Sequence, residues 1–111
     1  MAVYLLATLD TKGPDAAFVR DRLRELQTKV VLVDTSCLGE VTVPADIPRD
    51  AVFAAAGTSL AEQQQLNDRG TAVTKAAEGA TAIVQAAYAR GEVDGVLAIG
   101  VERNDRHYAI L

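Results

Sequence analysis

The sequence predicts a three-layer α/β sandwich built on a small parallel sheet. Two short runs, Ala2–Thr8 (AVYLLAT) and Lys29–Asp34 (KVVLVD), are apolar almost without a break, the pattern of strands covered on both faces. A helical stripe separates them, so strand, helix and strand fit within about 34 residues as one right-handed βαβ unit. A third apolar run, Val93–Gly100 (VDGVLAIG), follows a long alanine-rich helical pattern. Together they imply a Rossmann-like arrangement with strand order 2-1-3 and helices on both faces.

Each element has its own warrant. Leu9-Asp10-Thr11-Lys12-Gly13 reads as a polar turn after the first strand, and Pro14 suits a first helical position. From Asp15 to about Gln27, Val19, Leu23 and Leu26 recur at i, i+4 and i+7. Thr35–Ile47 is irregular, broken by Gly39 and Pro44, with Val41 and Val43 alternating as in a short extended piece. Arg49–Ala56 reads as a short helix closed by Gly57. Ser59-Leu60-Ala61-Glu62 is a capping box that opens another helix, and Asn67-Asp68-Arg69-Gly70 is a candidate interruption. From about Thr71 to Arg90 the stripe Val73, Ala76, Ala77, Ala80, Val84 and Ala87 marks a buried helix face, ended by Gly91.

Composition narrows the function classes. One hundred and eleven residues make one domain, here 1–111 with an atypical tail at 101–111. Eleven Lys+Arg against 15 Asp+Glu leave a net charge of −4, and with a pI near 4.8 this argues against a nucleic-acid partner, which needs a basic surface. Half of the residues are apolar, which excludes global disorder. Twenty alanines against three Tyr and two Phe give a core of small side chains, so modest stability or help from a partner chain is expected. Cys37, the single cysteine, forms no internal disulfide and suits a reducing compartment. No basic n-region, signal-type h-region or run of about 20 apolar residues occurs, so a cytoplasmic protein without a membrane partner is expected.

Chemistry in an open parallel sheet gathers beyond the carboxyl ends of the strands. Thr8–Gly13, Asp34–Gly39 and Gly100 meet there. The first segment offers Thr8, Asp10, Thr11, Lys12 and Gly13 just before a helix start, where amides and an ammonium suit a phosphate. The other reading is that Asp10 and Thr11 cap the turn and Lys12 is solvated. Neither a Walker loop nor a dinucleotide glycine fingerprint is present. Asp34 stands where dinucleotide folds hold a ribose hydroxyl; alternatively it is an acid satisfied by nearby amides. Arg69 could reach a phosphate or merely sit at a helix junction. Asp10, Glu40 and Asp46 offer a weak hard-cation site or are solvated loop acids. No metal set is evident, and Cys37 with His107, the only histidine, makes a poor nucleophile–base pair. No catalytic residue is assigned, and the chain is not expected to catalyse a reaction unaided.

The residues VYLLATLDTKGPD, VVLVDTSCLGE and AAAGTSLAEQQQLNDRG resemble the N-terminal domain of the tomato-mosaic-virus-resistance-like family, which has many uncharacterised bacterial members. The resemblance spans about residues 2–100. It implies a Rossmann-like domain that binds ATP with Mg²⁺ and precedes a barrel-like domain absent here. Its matching positions are Thr8, Asp10, Thr11, Lys12, Asp34, Thr35, Asp68, Arg69 and Gly70. After Gly100 that family continues with a glycine-rich phosphate loop. Here Val101–Leu111 follow instead, and Glu102 and Asp105 would repel phosphate, so the chain reads as truncated or altered after residue 100. The expectation is a nucleotide-binding module or its degenerate remnant. The alternatives are a structural oligomerisation domain and the non-catalytic half of a two-domain enzyme. A bare sheet edge and the apolar tail end Tyr108–Leu111 also predict a homo-oligomer.

Overall fold

A computed structural model describes residues 1–100 of the chain. The tail and His107 lie outside the described residues. The elements run β1 (Ala2–Ala7), α1 (Leu9–Glu25), β2 (Val30–Asp34), α2 (Arg49–Ala55), α3 (Leu60–Leu66), α4 (Arg69–Ala89) and β3 (Val93–Ile99). The three strands form one parallel sheet in the order β2-β1-β3, as the sequence predicts. Leu5 stands between Leu32 and Leu97, and Leu6 between Val33 and Ala98.

Because successive strand side chains point to opposite faces, the apolar runs feed two cores. Leu5, Ala7, Val30 and Leu32 pack with Leu9 and Ala16 on the α1 face. Tyr4, Leu6 and Val33 pack on the other face with Val52, Phe53 and the α4 alanines Ala72, Ala76, Ala80 and Ala87. The α4 stripe differs from expectation by also burying Ala72 and Gly79, with Ile83 packed against the core. Small residues recur there because α2 crosses close over α4: a Cβ on Gly79 would overlap the Val52 carbonyl.

Three other expectations are corrected. Leu9–Gly13 is not an open turn but the first turn of α1, in which Thr11 and Lys12 N–H donate to the Thr8 carbonyl at 3.1 and 2.7 Å. The helix kinks at Lys12 (φ −117°, ψ 25°), because Pro14 has no N–H and its ring crowds the carbonyl of Asp10, four residues back. Val41 and Val43 form no strand; they lie over the α1-side core, where Val43 packs against Gly13. Helix α4 starts at Arg69 rather than Thr71, because the Asp68 carboxylate caps it, accepting from Gly70 and Thr71 N–H at 3.1 and 3.4 Å. Asn67, at φ 50°, separates α3 from α4.

Helix α1 ends in a Schellman turn: Thr28 N–H donates to the Leu23 carbonyl and Gln27 N–H to that of Arg24. Gln27 takes the left-handed position at φ 64°, where Gly91 sits at φ 75° after α4. Side chains rarely adopt this conformation without cost. Gln27→Gly should therefore stabilise the fold by about 0.5–1 kcal/mol, read as a higher urea midpoint; an unchanged or lower midpoint refutes the assignment.

Candidate functional site

Strand order reverses at β1. The chain leaves β1 through α1 on one face to reach β2, and returns through α2–α4 on the other face to reach β3. The carboxyl ends of β1 and β3 therefore flank the crevice where such sheets hold ligands. The backbone draws the strand ends together there. Thr8 N–H donates to the Ile99 carbonyl at 3.3 Å, with Gly100 next in sequence, and Thr35 N–H donates to the Ala7 carbonyl at 2.8 Å. Thr8, Thr35 and Gly100 thus come together at one end of the sheet.

The two carboxylates of this region serve as staples between loops. Asp34 is 2% exposed, and its Oδ1 accepts from Leu9 N–H at 3.4 Å and Ser36 N–H at 2.9 Å. The end of β2 is thereby tied to the start of α1. Asp10, half-buried in the first turn of α1, accepts from Gly39 N–H at 3.3 Å. A Cβ at Gly39 would stand 2.8 Å from the Asp10 Oδ2, so that close approach requires glycine. Asp46 also binds backbone, accepting from Leu32 N–H at 2.7 Å on the outer edge of β2.

Groups that could face a ligand remain on α1. The Thr8 and Thr11 hydroxyls lie 3.1 Å apart. The Lys12 ammonium is partly exposed, 3.8 Å from the exposed carboxylate of Asp15, a contact of little energetic consequence in water. The first-turn amides are largely engaged, since Leu9 N–H serves Asp34 and those of Thr11 and Lys12 serve the Thr8 carbonyl. An anion here would be held by side chains more than by a backbone cradle. Gly13 is buried against Val43 and contributes close packing.

Arg69, the first residue of α4, is exposed and pairs with no carboxylate among the described residues. Its charge reaches the neighbourhood of Cys37. Burial pushes the Cys37 thiol above its ordinary value, the Arg69 and Arg49 charges pull it back, and Asp10 and Asp34 add to the rise. The thiol is thus held protonated, which does not suit a nucleophile. Asp68 and Gly70 form the helix cap described above. Among the described residues no group of His, Cys, Asp and Glu is arranged to hold a metal ion.

Sequence reasoning missed Arg49. Its Nη1 donates to the carbonyls of Cys37 and Gly39 at 3.0 and 2.6 Å, which sets the course of the loop leaving β2. No local signal marks it, because its partners stand 12 and 10 residues away.

The family model that matches the chain is the N-terminal domain of the uncharacterised protein family UPF0261, over residues 1–104. The chain belongs to the UPF0261 family. A UPF0261 protein of Brucella suis biovar 1 (strain 1330) is 33% identical over 98 residues, covering 88% of this chain and 23% of its own length. A UPF0261 protein of Clostridium tetani (strain Massachusetts / E88) is 26% identical over 98 residues, covering 88% and 24%. The chain therefore spans under a quarter of the length of the curated relatives it matches. No solved structure matches it. The resemblance to the tomato-mosaic-virus-resistance-like family is corrected by these matches, which name UPF0261 and carry no ATP-binding description. Among the described residues, no helix is long and apolar enough to cross a membrane.

Proposed function

We propose that this UPF0261 domain binds a phosphate-bearing nucleotide, such as ATP with or without Mg²⁺, in the crevice between the ends of β1 and β3. The observation that carries the reading is one cluster: the paired hydroxyls of Thr8 and Thr11 and the Lys12 ammonium, all at the N-terminal end of α1 at the reversal of strand order. Lys12 supplies the charge that offsets a phosphate, and the two hydroxyls donate to its oxygens. The staples at Asp10 and Asp34 keep the loops in place around it. Arg49 and Arg69 add positive charge on the Cys37 side. The role assigned is binding, with no catalytic group named.

Calorimetric titration of the chain with ATP, with and without Mg²⁺, tests the reading. Lys12→Ala should weaken binding by about tenfold or more, since a hydrogen bond to a charged group contributes about 1.5–3 kcal/mol. Inorganic phosphate at high concentration should compete. Absence of heat at millimolar ATP rejects the reading, and equal affinity in the variant removes Lys12 from the site.

A further inference from the structure

In an open parallel sheet that holds a nucleotide, an acid at the end of the second strand takes the ribose 2′-hydroxyl. Asp34 stands at that place, closing β2 beside the central β1. To serve a sugar it would have to turn a carboxylate oxygen outward, and it does the opposite. The residue is 2% exposed, and its Oδ1 accepts from Ser36 N–H at 2.9 Å and from Leu9 N–H at 3.4 Å. Its own N–H donates to the Ile47 carbonyl at 3.0 Å, so the backbone is pinned as well as the side chain.

Turning the carboxylate toward a ligand would strip two buried amides of their acceptor, and a buried amide left without one is costly. The second oxygen shares the burial, since Leu9, Ser36 and Cys37, which meet or follow Asp34, are buried too. Further polypeptide packed at this end of the sheet could only bury the group more.

The neighbouring groups do not take over the task. The Ser36 hydroxyl is buried without a partner among the described residues, closed to a sugar. Asp10 serves Gly39 N–H and Asp46 serves Leu32 N–H. The Thr8 and Thr11 hydroxyls and the Lys12 ammonium, beside the crevice, suit phosphate oxygens.

We infer that the site selects its ligand by phosphate and leaves the ribose 2′-hydroxyl unread, so that ribonucleotides and 2′-deoxyribonucleotides are equivalent ligands and tripolyphosphate binds without a nucleoside. This specificity rests on the nucleotide reading above; the burial of Asp34 does not.

Calorimetric titration of the full chain with ATP, dATP and tripolyphosphate, each with Mg²⁺, tests it. ATP and dATP should bind within about twofold of each other, whereas a carboxylate that read the 2′-hydroxyl would weaken dATP by about tenfold or more. Asp34→Asn keeps an acceptor oxygen and should shift both affinities by the same factor, leaving their ratio unchanged. Hydrogen exchange on the free chain needs no ligand: the Leu9 and Ser36 amides should be protected. A preference for ATP over dATP of about tenfold or more overturns the inference and leaves the nucleotide reading standing. So does a ratio that changes in Asp34→Asn, failure of tripolyphosphate to bind where ATP binds, or unprotected Leu9 and Ser36 amides. Should Asp34→Asn unfold, the ratio in the parent chain still decides. Absence of binding by all three ligands rejects the nucleotide reading and this specificity with it, while protected amides would keep Asp34 as the staple.

Discussion

Gly79→Ala should cost about 3 kcal/mol or more of folding stability, although alanine is the better helix former by about 1 kcal/mol. Its Cβ would overlap the Val52 carbonyl and stand 2.8 Å from the carbonyl carbon and 3.1 Å from the Val52 Cγ1. Carbonyl atoms cannot turn aside as a side chain can, so α2 would have to lift from α4. That movement would open the packing around Val52 and Phe53, both 0% exposed. Urea unfolding should show a lower midpoint with an unchanged slope. Gly70→Ala is the matched control: its nearest outside atom, the Asp68 Oδ1, lies at 3.6 Å, an ordinary contact, so stability should hold or rise slightly. If Gly79→Ala is as stable as the parent, the two helices do not approach as described.

Asp34→Ala should cost about 3 kcal/mol, because it leaves two buried amides, Leu9 N–H and Ser36 N–H, without an acceptor; hydrogen bonds to a charged group contribute about 1.5–3 kcal/mol each. Asp34→Asn keeps an acceptor oxygen and should lose less. The effect should also be local. Hydrogen exchange at Leu9 and Ser36 should quicken well beyond that of Leu5 or Leu32, since the loops at the end of β1 and β2 part before the sheet does. Unchanged exchange at both amides, together with an unchanged midpoint, would remove Asp34 as the staple. The side chains proposed to hold phosphate depend on it, so affinity for ATP should fall in this variant without Asp34 touching the ligand.

The candidate site was partly legible. Thr8, Asp10, Thr11, Lys12, Asp34, Thr35 and Gly100 were singled out because strand ends gather ligands, and these residues do come to one end of the sheet. Their roles were less legible. Leu9–Gly13 reads as a polar turn, yet it begins a helix whose first amides are already engaged. Asp10 reads as an acid in a turn and Asp34 as a strand-end acid satisfied by nearby amides, which Ser36 N–H bears out; their other donors, Gly39 N–H and Leu9 N–H, stand 29 and 25 positions away. The resemblance drawn over about residues 2–100 suggests one family, whereas the family model that matches residues 1–104 assigns another.

What the sequence by itself determined is the set of elements and their arrangement in layers. Unbroken apolar runs dictate strands covered on both faces, apolar residues spaced three and four apart dictate helices, and the alternation of the two dictates a parallel sheet with central β1. Ser59 with Glu62 marks the start of α3 from sequence alone, because the amide and hydroxyl concerned lie three residues apart. Only the tertiary structure decided the rest. The contact of Gly79 with Val52, the grip of Arg49 on Cys37 and Gly39, and the cover that Asp46 and Ile47 give the outer edge of β2 all join groups distant in the chain. Local spacing encodes how a segment curls and which side it buries; it holds no record of which backbone donor or acceptor another segment will bring to meet it.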